Sequence, residues 1–246
     1  DLLSKIVEFI CTAWHQKDAG IWETRGKYQH FVHSKLMCWV AFDRAIKIAE
    51  TQEKRHPNQR WSEMRDIIKK EILKKGYNHK LKSFVQAYDS DIIDSTALLI
   101  PIHKLLPFND PRVQGTLNAI IQKLSTKNGL LYRYENRTDD GFKGKEGAFL
   151  LSSFWLIDVL AYSGRTEEAK KLFLKMLDYT SPTGLLAEEI NFKTGDLLGN
   201  YPQAYSHIGL INSALFINKA EQEGLLQLTE ADFKNLSRRL RNIIKE

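Results

Sequence analysis

The sequence predicts an all-α fold, a two-layered toroid of helical hairpins, on three observations. Its hydrophobic periodicity is helical throughout. Helices that are apolar almost all round alternate with amphipathic ones. The links between them alternate between short and long. In chain order, 1–16 is amphipathic, with Leu2, Leu3, Ile6, Phe9, Ile10 and Ala13 tracing its stripe, and 31–49 is apolar all round. The amphipathic 60–75 precedes the apolar 91–106. Asp110-Pro111 opens the amphipathic 111–124 as an N-cap followed by proline in the first turn, ahead of the apolar 146–162. Thr166-Glu167-Glu168 opens 165–178 with acids that suit the positive end of a helix dipole. The apolar 203–219 and the amphipathic 230–244 follow. An apolar helix needs neighbours on every side, so these form an inner ring wrapped by the amphipathic ones.

With 246 residues, 43% of them hydrophobic and 11% aromatic, the chain buries a large core, and one domain over 1–246 is expected. No uncharged apolar run is long enough to span a bilayer, so no membrane partner is expected. The net charge of +6 is spread among 30 acids. The densest basic stretch, Lys69, Lys70, Lys74 and Lys75, lies in a helical pattern and reads as a solvated face, which argues against a nucleic-acid partner. Cys11 and Cys38 lack metal-ligand spacing and lie in apolar helical stretches, as buried thiols in a reducing, cytoplasmic compartment would. Neither a metal nor a cofactor is expected.

Inner-to-outer links such as Ser163-Gly164 are short, whereas those at 17–30, 76–90, 125–145 and 179–202 are long. Alternation up and down the ring puts all four long links at one end, where function concentrates. They resemble one another. Gly20-Ile21-Trp22-Glu23, Ser83-Phe84-Val85-Gln86, Gly129-Leu130-Leu131-Tyr132 and Gly184-Leu185-Leu186-Ala187-Glu188 each run from a turn through apolar residues to a polar end. Only the first and last end in a carboxylate, and in a closed ring of six hairpins those two copies lie diametrically opposite. Glycoside hydrolysis with inversion needs such a pair: one carboxylic acid protonates the leaving oxygen while a carboxylate activates water on the opposite face. The two stand roughly 6.5–9.5 Å apart. Trp22 supplies apolar surroundings to Glu23, and Glu189 is a supporting partner for Glu188.

GIWETRG, HFVHSKLMCWVAFDRAI and GLLAEEINFKTGDLLGNYPQAYSHIGLIN resemble glycoside hydrolase family 15, the glucoamylase-like enzymes, and its trehalase-like branch in particular. DIIDSTALLIP, DPRVQGT, GLLYRY and GKEGAFLLSSFWLID continue the match along nearly the whole chain. The resemblance implies an (α/α)6 barrel, an inverting mechanism and an α-glucoside substrate with a non-reducing glucose. It implies Glu23 as general acid, Glu188 as general base, and Tyr205 and Ser206 as walls of the glucose pocket. The family's barrel has six inner helices, and four are counted here, so an incomplete (α/α)6 toroid is expected, the C-terminal two thirds of the catalytic domain. The family's Trp/Arg-Asp segment that grips glucose is not found in the chain. Pairing with an N-terminal segment, or self-association of the open flanks, is therefore expected.

Other residues carry competing readings. His33, Lys35 and His207 begin inner helices at the long-link end and are candidate sugar contacts or structural hydrogen-bond donors. Glu146 is a candidate substrate contact or a dipole-complementing first-turn acid. Trp39 and Trp155, in mid-helix, read as core. Asp89, Asp91 and Asp94 lack metal-binding spacing and read as loop caps, with Asp91 the N-cap. Asn136 begins a formal glycosylation sequon, without meaning in a reducing compartment. Two function classes follow: an inverting glycosidase, and a helical-ring scaffold that binds glycan or protein without turnover.

Overall fold

The computed structural model describes residues 2–51, 58–135 and 146–222. The helix expected over 230–244 and the sequon at Asn136 lie outside the described residues. The architecture is the expected all-α one. The outer layer holds α1 (Leu2–Ala13), α3 (Asn58–Lys75), α5 (Pro111–Leu124) and α7 (Thr166–Leu177). The inner layer holds α2 (Val32–Thr51), α4 (Leu99–Ile102) with a 3-10 turn over Ser95–Leu98 before it, α6 (Leu150–Tyr162) and α8 (Ala204–Gln222). α2 packs against α1 and α3, α5 against the 3-10 turn, and α6 against α7 and α8. Burial follows the sequence pattern. Leu36, Trp39, Phe42 and Ile46 of α2, and Leu150, Phe154, Ile157 and Leu160 of α6, are in the core. Among the described residues no helix is long and apolar enough to cross a membrane.

Three expectations change. The inner helix expected over 91–106 is a 3-10 turn plus one α-helical turn. Asp94 caps its start, Lys104 is left-handed (φ 66°), and Leu105 N–H closes back on the Ile100 carbonyl at 3.1 Å. Pro107 then disfavours a helical residue before it. Secondly, α1 packs on the ring through Val7, Ile10, Cys11 and Trp14, the i, i+3, i+4, i+7 set one step round from the expected stripe. Leu2, Ile6 and Phe9 of that stripe are exposed. Thirdly, α8, expected to be buried all round, exposes Ile208, Ile211 and Leu215 along one face.

The long links meet at the N-terminal end of the inner helices, and a repeated hydrogen bond puts them there. Val32 N–H at the start of α2 donates to the Gln86 carbonyl at 2.9 Å. Ser95 N–H at the start of the 3-10 turn donates to the Arg133 carbonyl at 2.8 Å, and Leu150 N–H at the start of α6 to the Glu188 carbonyl at 3.1 Å. The first N–H groups of a helix have no partner within it. Here each is satisfied by the long link of the following hairpin. Short strands stiffen the links. β1 (Tyr77–Asn78) pairs antiparallel with β2 (Ser83–Phe84), Tyr77 opposite Phe84. β3 (Ala148–Phe149), β4 (Glu189–Ile190) and β5 (Leu197–Leu198) form an antiparallel sheet in that order, Phe149 opposite Glu189 and Glu189 opposite Leu198.

A carboxyl group is buried between α6 and α8. Asp158 of α6 is 4% exposed and hydrogen-bonds the Ser213 hydroxyl of α8. Ser213 Oγ also lies 3.2 Å from the Phe154 carbonyl, which can only accept. A protonated Asp158 donating to Ser213, which in turn donates to Phe154, satisfies all three groups. Burial pushes the Asp158 carboxyl up to about 7. A carboxyl raised in the folded state contributes stability that is fully present below its unfolded value near 4 and is lost as pH rises through about 7. Denaturant titrations at pH 5 and pH 8 are therefore expected to show the native chain losing stability relative to Asp158→Asn as pH rises. An equal difference at both values would refute the buried proton.

Candidate active site

Each long link turns through a left-handed residue and then reaches inward. Lys82 (φ 51°), Gly129 (φ 84°) and Gly184 (φ 80°) stand four residues before Gln86, Arg133 and Glu188, whose carbonyls cap the inner helices. In this register the third copy ends at Arg133, one residue beyond the expected Tyr132. The first copy is tighter. Gly20 (φ 71°) has the Phe31 ring 2.9 Å from where a Cβ would stand, and Glu23 is itself left-handed (φ 49°), its N–H 3.3 Å from the Gly20 carbonyl. Left-handed backbone at a residue other than glycine is disfavoured and is retained where the surroundings hold it. The Glu23 side chain is exposed at this turn.

The Glu188 carboxylate is held by two donors, the Tyr205 hydroxyl at 2.7 Å and the Asn200 N–H at 3.0 Å. Gly199 makes the second contact achievable, since a Cβ there would lie 2.7 Å from Glu188 Oε2. The Tyr205 hydroxyl is shifted well above its ordinary range, by burial and then by its hydrogen bond to the Glu188 carboxylate, so it stays a donor. Glu189, the next residue, points elsewhere. It accepts from the Gly147 N–H at 3.1 Å and faces the Arg133 guanidinium at 3.6 Å. Burial raises Glu189, opposed by Arg133 and the Gly147 N–H. Arg133 also hydrogen-bonds Glu146. Glu146 lies four residues before α6 begins, so neither a first-turn place nor the dipole reading applies; it partners Arg133.

An aromatic wall joins the two ends of this arrangement. The Trp22 ring meets Phe149 edge-on at 5.4 Å, Tyr134 at 6.1 Å and Trp155 at 6.4 Å. Phe149 in turn lies 5.9 Å from Tyr205, the partner of Glu188. Arg133 covers the wall at 5.3 Å from Phe149 and 5.5 Å from Trp22, distances at which a cation is attracted to a ring face. Trp155, expected in the core, is half-buried and belongs to this wall; Trp39 is core as expected. A carboxylate held by two donors, a carboxyl on a tight exposed turn, and aromatic surface between them make a set suited to acid/base chemistry on a sugar ring.

Residues 1–215 match the family described as Glycosyl hydrolases family 15. The chain belongs to that family. A trehalase of Mycobacterium tuberculosis is 43% identical over 223 residues, 90% of this chain and 32% of the relative. A trehalase of Thermoplasma volcanium is 40% identical over 220 residues, 89% of this chain and 35% of the relative. The chain thus spans about a third of the length of these relatives. Two solved structures share the fold. A glycosidase variant in complex with glucose matches with a TM-score of 0.74 at 18% identity, covering 90% of this chain and 59% of that one. A bacterial glucoamylase complexed with acarbose matches with a TM-score of 0.74 at 17% identity, covering 91% of this chain and 38% of that one.

Not every residue singled out for this family 15 site reaches it. Lys35 is buried and its ammonium donates to the Trp14 carbonyl at 2.6 Å and to that of Gln16, so it closes the end of α1 instead of meeting sugar. Ser206 is buried and donates to the Ala187 carbonyl at 2.8 Å, which fixes the backbone before Glu188. His207 accepts the Leu186 N–H at Nε2 (3.2 Å) and has Nδ1 2.7 Å from the Gln203 carbonyl, so both ring nitrogens are spent on the link that carries Glu188. His33 has His103 and Asp18 as electrostatic neighbours, and burial followed by the His103 charge holds it down at about 4. No described contact joins it to the Glu188 and Arg133 group. Asp94, not Asp91, is the N-cap in the acidic cluster. The register of the apolar runs does not reach Arg133; a spacing of four from the left-handed residue does.

Ser206→Ala leaves the buried Ala187 carbonyl without its donor, which is expected to destabilise by about 1–3 kcal/mol. Equilibrium denaturation measures this, and an unchanged midpoint would show that the hydroxyl is not what holds the link.

Proposed function

We propose that the protein carrying this chain is an inverting glycoside hydrolase acting on α-glucosides with a non-reducing glucose, with Glu23 as general acid and Glu188 as general base. The observation that carries the reading is the single aromatic wall that runs from Trp22, beside Glu23, through Phe149 to Tyr205, which holds Glu188. Glucose bound against that wall has one carboxyl group at each end of the reacting bond. Glu23 protonates the leaving oxygen, and Glu188 takes a proton from the water that attacks the anomeric carbon from the opposite side. Tyr205 and Asn200 N–H keep the Glu188 oxygens aimed as the water loses its proton. Arg133, balanced by Glu146 and Glu189, places a fixed cation over the wall without leaving an uncompensated buried charge.

Family membership supports this reading, as do relatives named trehalase and fold neighbours in complex with glucose and with acarbose. Trehalose is accordingly the first substrate to test, and maltose the second. No observation favours the non-catalytic scaffold. Glu23→Gln and Glu188→Gln in the full-length protein are each expected to lower kcat by about 10²–10⁴-fold. Proton NMR at early times is expected to show β- and α-glucose in equal amounts from trehalose, because only the attacked glucose inverts and the leaving one keeps its α configuration. Full activity in either variant, or initial release of α-glucose alone, overturns the assignment.

A further inference from the structure

Asp94 is 2% exposed and accepts four hydrogen bonds, none from a cation. Oδ1 takes the Thr96 N–H at 2.8 Å and the Thr96 hydroxyl at 2.7 Å, which is all that capping the 3-10 turn requires. Oδ2 takes the Trp22 Nε1–H and the Gln86 side-chain amide, each at 2.9 Å. A serine or asparagine would cap as well, so the second oxygen, buried at the cost of desolvation, needs a separate reason. Burial indeed pushes the Asp94 carboxyl up, and its hydrogen bonds oppose the shift. Trp22 supplies that reason. The ring contacts around Trp22 are edge-on or tilted, and the indole N–H adds a directional contact, to Asp94. Glu23 follows directly in the chain, on a left-handed turn whose own backbone bond is long.

We propose that Asp94 is a positioning residue for the Glu23 carboxyl, acting through the Trp22 indole N–H. The proposal rests on the reading of Glu23 as general acid. Gln86, the polar end of the second link, serves here as the second donor that holds Asp94 in place.

The test uses the full-length protein with Asp94→Asn, Trp22→Phe, their double variant and Glu23→Gln. An asparagine that keeps its oxygen on Thr96 turns its amino group to the Trp22 N–H and breaks the tie. Phenylalanine keeps most of the ring and deletes the donor. Each single variant is expected to lower kcat on trehalose by about tenfold to a hundredfold, the effect of a displacement near 1 Å. KM of Asp94→Asn should stay near the native value, and the double variant should be no worse than the poorer single one. Turnover of α-glucosyl fluoride, whose leaving group needs no proton, should be largely retained, which a general loss of structure would not allow. Native kcat in Asp94→Asn, multiplicative losses in the double variant, or equal losses on the fluoride overturn the proposal. Should Asp94→Asn fail to fold, Trp22→Phe decides: native kcat refutes the tie, and a loss confined to trehalose supports it. Activity in Glu23→Gln would fell the acid assignment and this proposal together. An inactive Glu23→Gln beside a native Asp94→Asn would fell the proposal alone.

Discussion

The first N–H of an inner helix has to find an acceptor outside its own helix, and at the starts of α2, of the 3-10 turn before α4 and of α6 it finds one in the following hairpin. Gln86, Arg133 and Glu188 offer their carbonyls to Val32, Ser95 and Leu150. A buried helix end without a partner is costly, so these bonds fix where each link crosses the ring. The Arg133 side chain then lies over the Trp22 ring and that of Gln86 meets the same Asp94 as the Trp22 indole, while Glu188 is held by Tyr205 beyond Phe149. The site follows from the way the inner helices are terminated, and the short strands beside it hold that delivery in register.

Charge is placed in this site with compensation. Arg133 lies among three rings and two carboxylates, and each carboxylate has a second role: Glu146 leads into β3, while Glu189 ties β4 to the Gly147 N–H. Glu188 spends its oxygens on an uncharged hydroxyl and a backbone amide. Neighbouring residues on one short strand and its approach thus face different partners, because side chains alternate along extended backbone. That alternation gives Glu188 and Glu189 different partners although they are adjacent in sequence.

Much of the architecture was legible because burial writes periodicity. Helices apolar all round proved to be the inner ones, and the long links gather at one end. The buried face of α1 is ambiguous in the sequence because its apolar residues cover more than one side, and the stripe through Leu2, Ile6 and Phe9 competes with the one through Val7, Ile10 and Trp14. The inner helix at 91–106 was overestimated because an apolar run does not reveal where backbone turns left-handed, as it does at Lys104. Around the site, Lys35, Ser206 and His207 stand at the right end of their helices, but their polar atoms turn to backbone carbonyls and amides. Sequence position does not disclose that orientation. Nor does it disclose the second oxygen of Asp94, whose partner Trp22 is 72 residues away.

The helix-ending bonds come from main-chain carbonyls, which every amino acid possesses. The side chain at the end of a link is therefore decoupled from the assembly of the ring. Glutamine, arginine and glutamate stand at equivalent places in successive hairpins without disturbing the bond that each residue makes. A toroid grown from duplicated hairpins can in this way diversify its inner surface one link at a time, trying new chemistry at the tips while the frame that presents them stays the same.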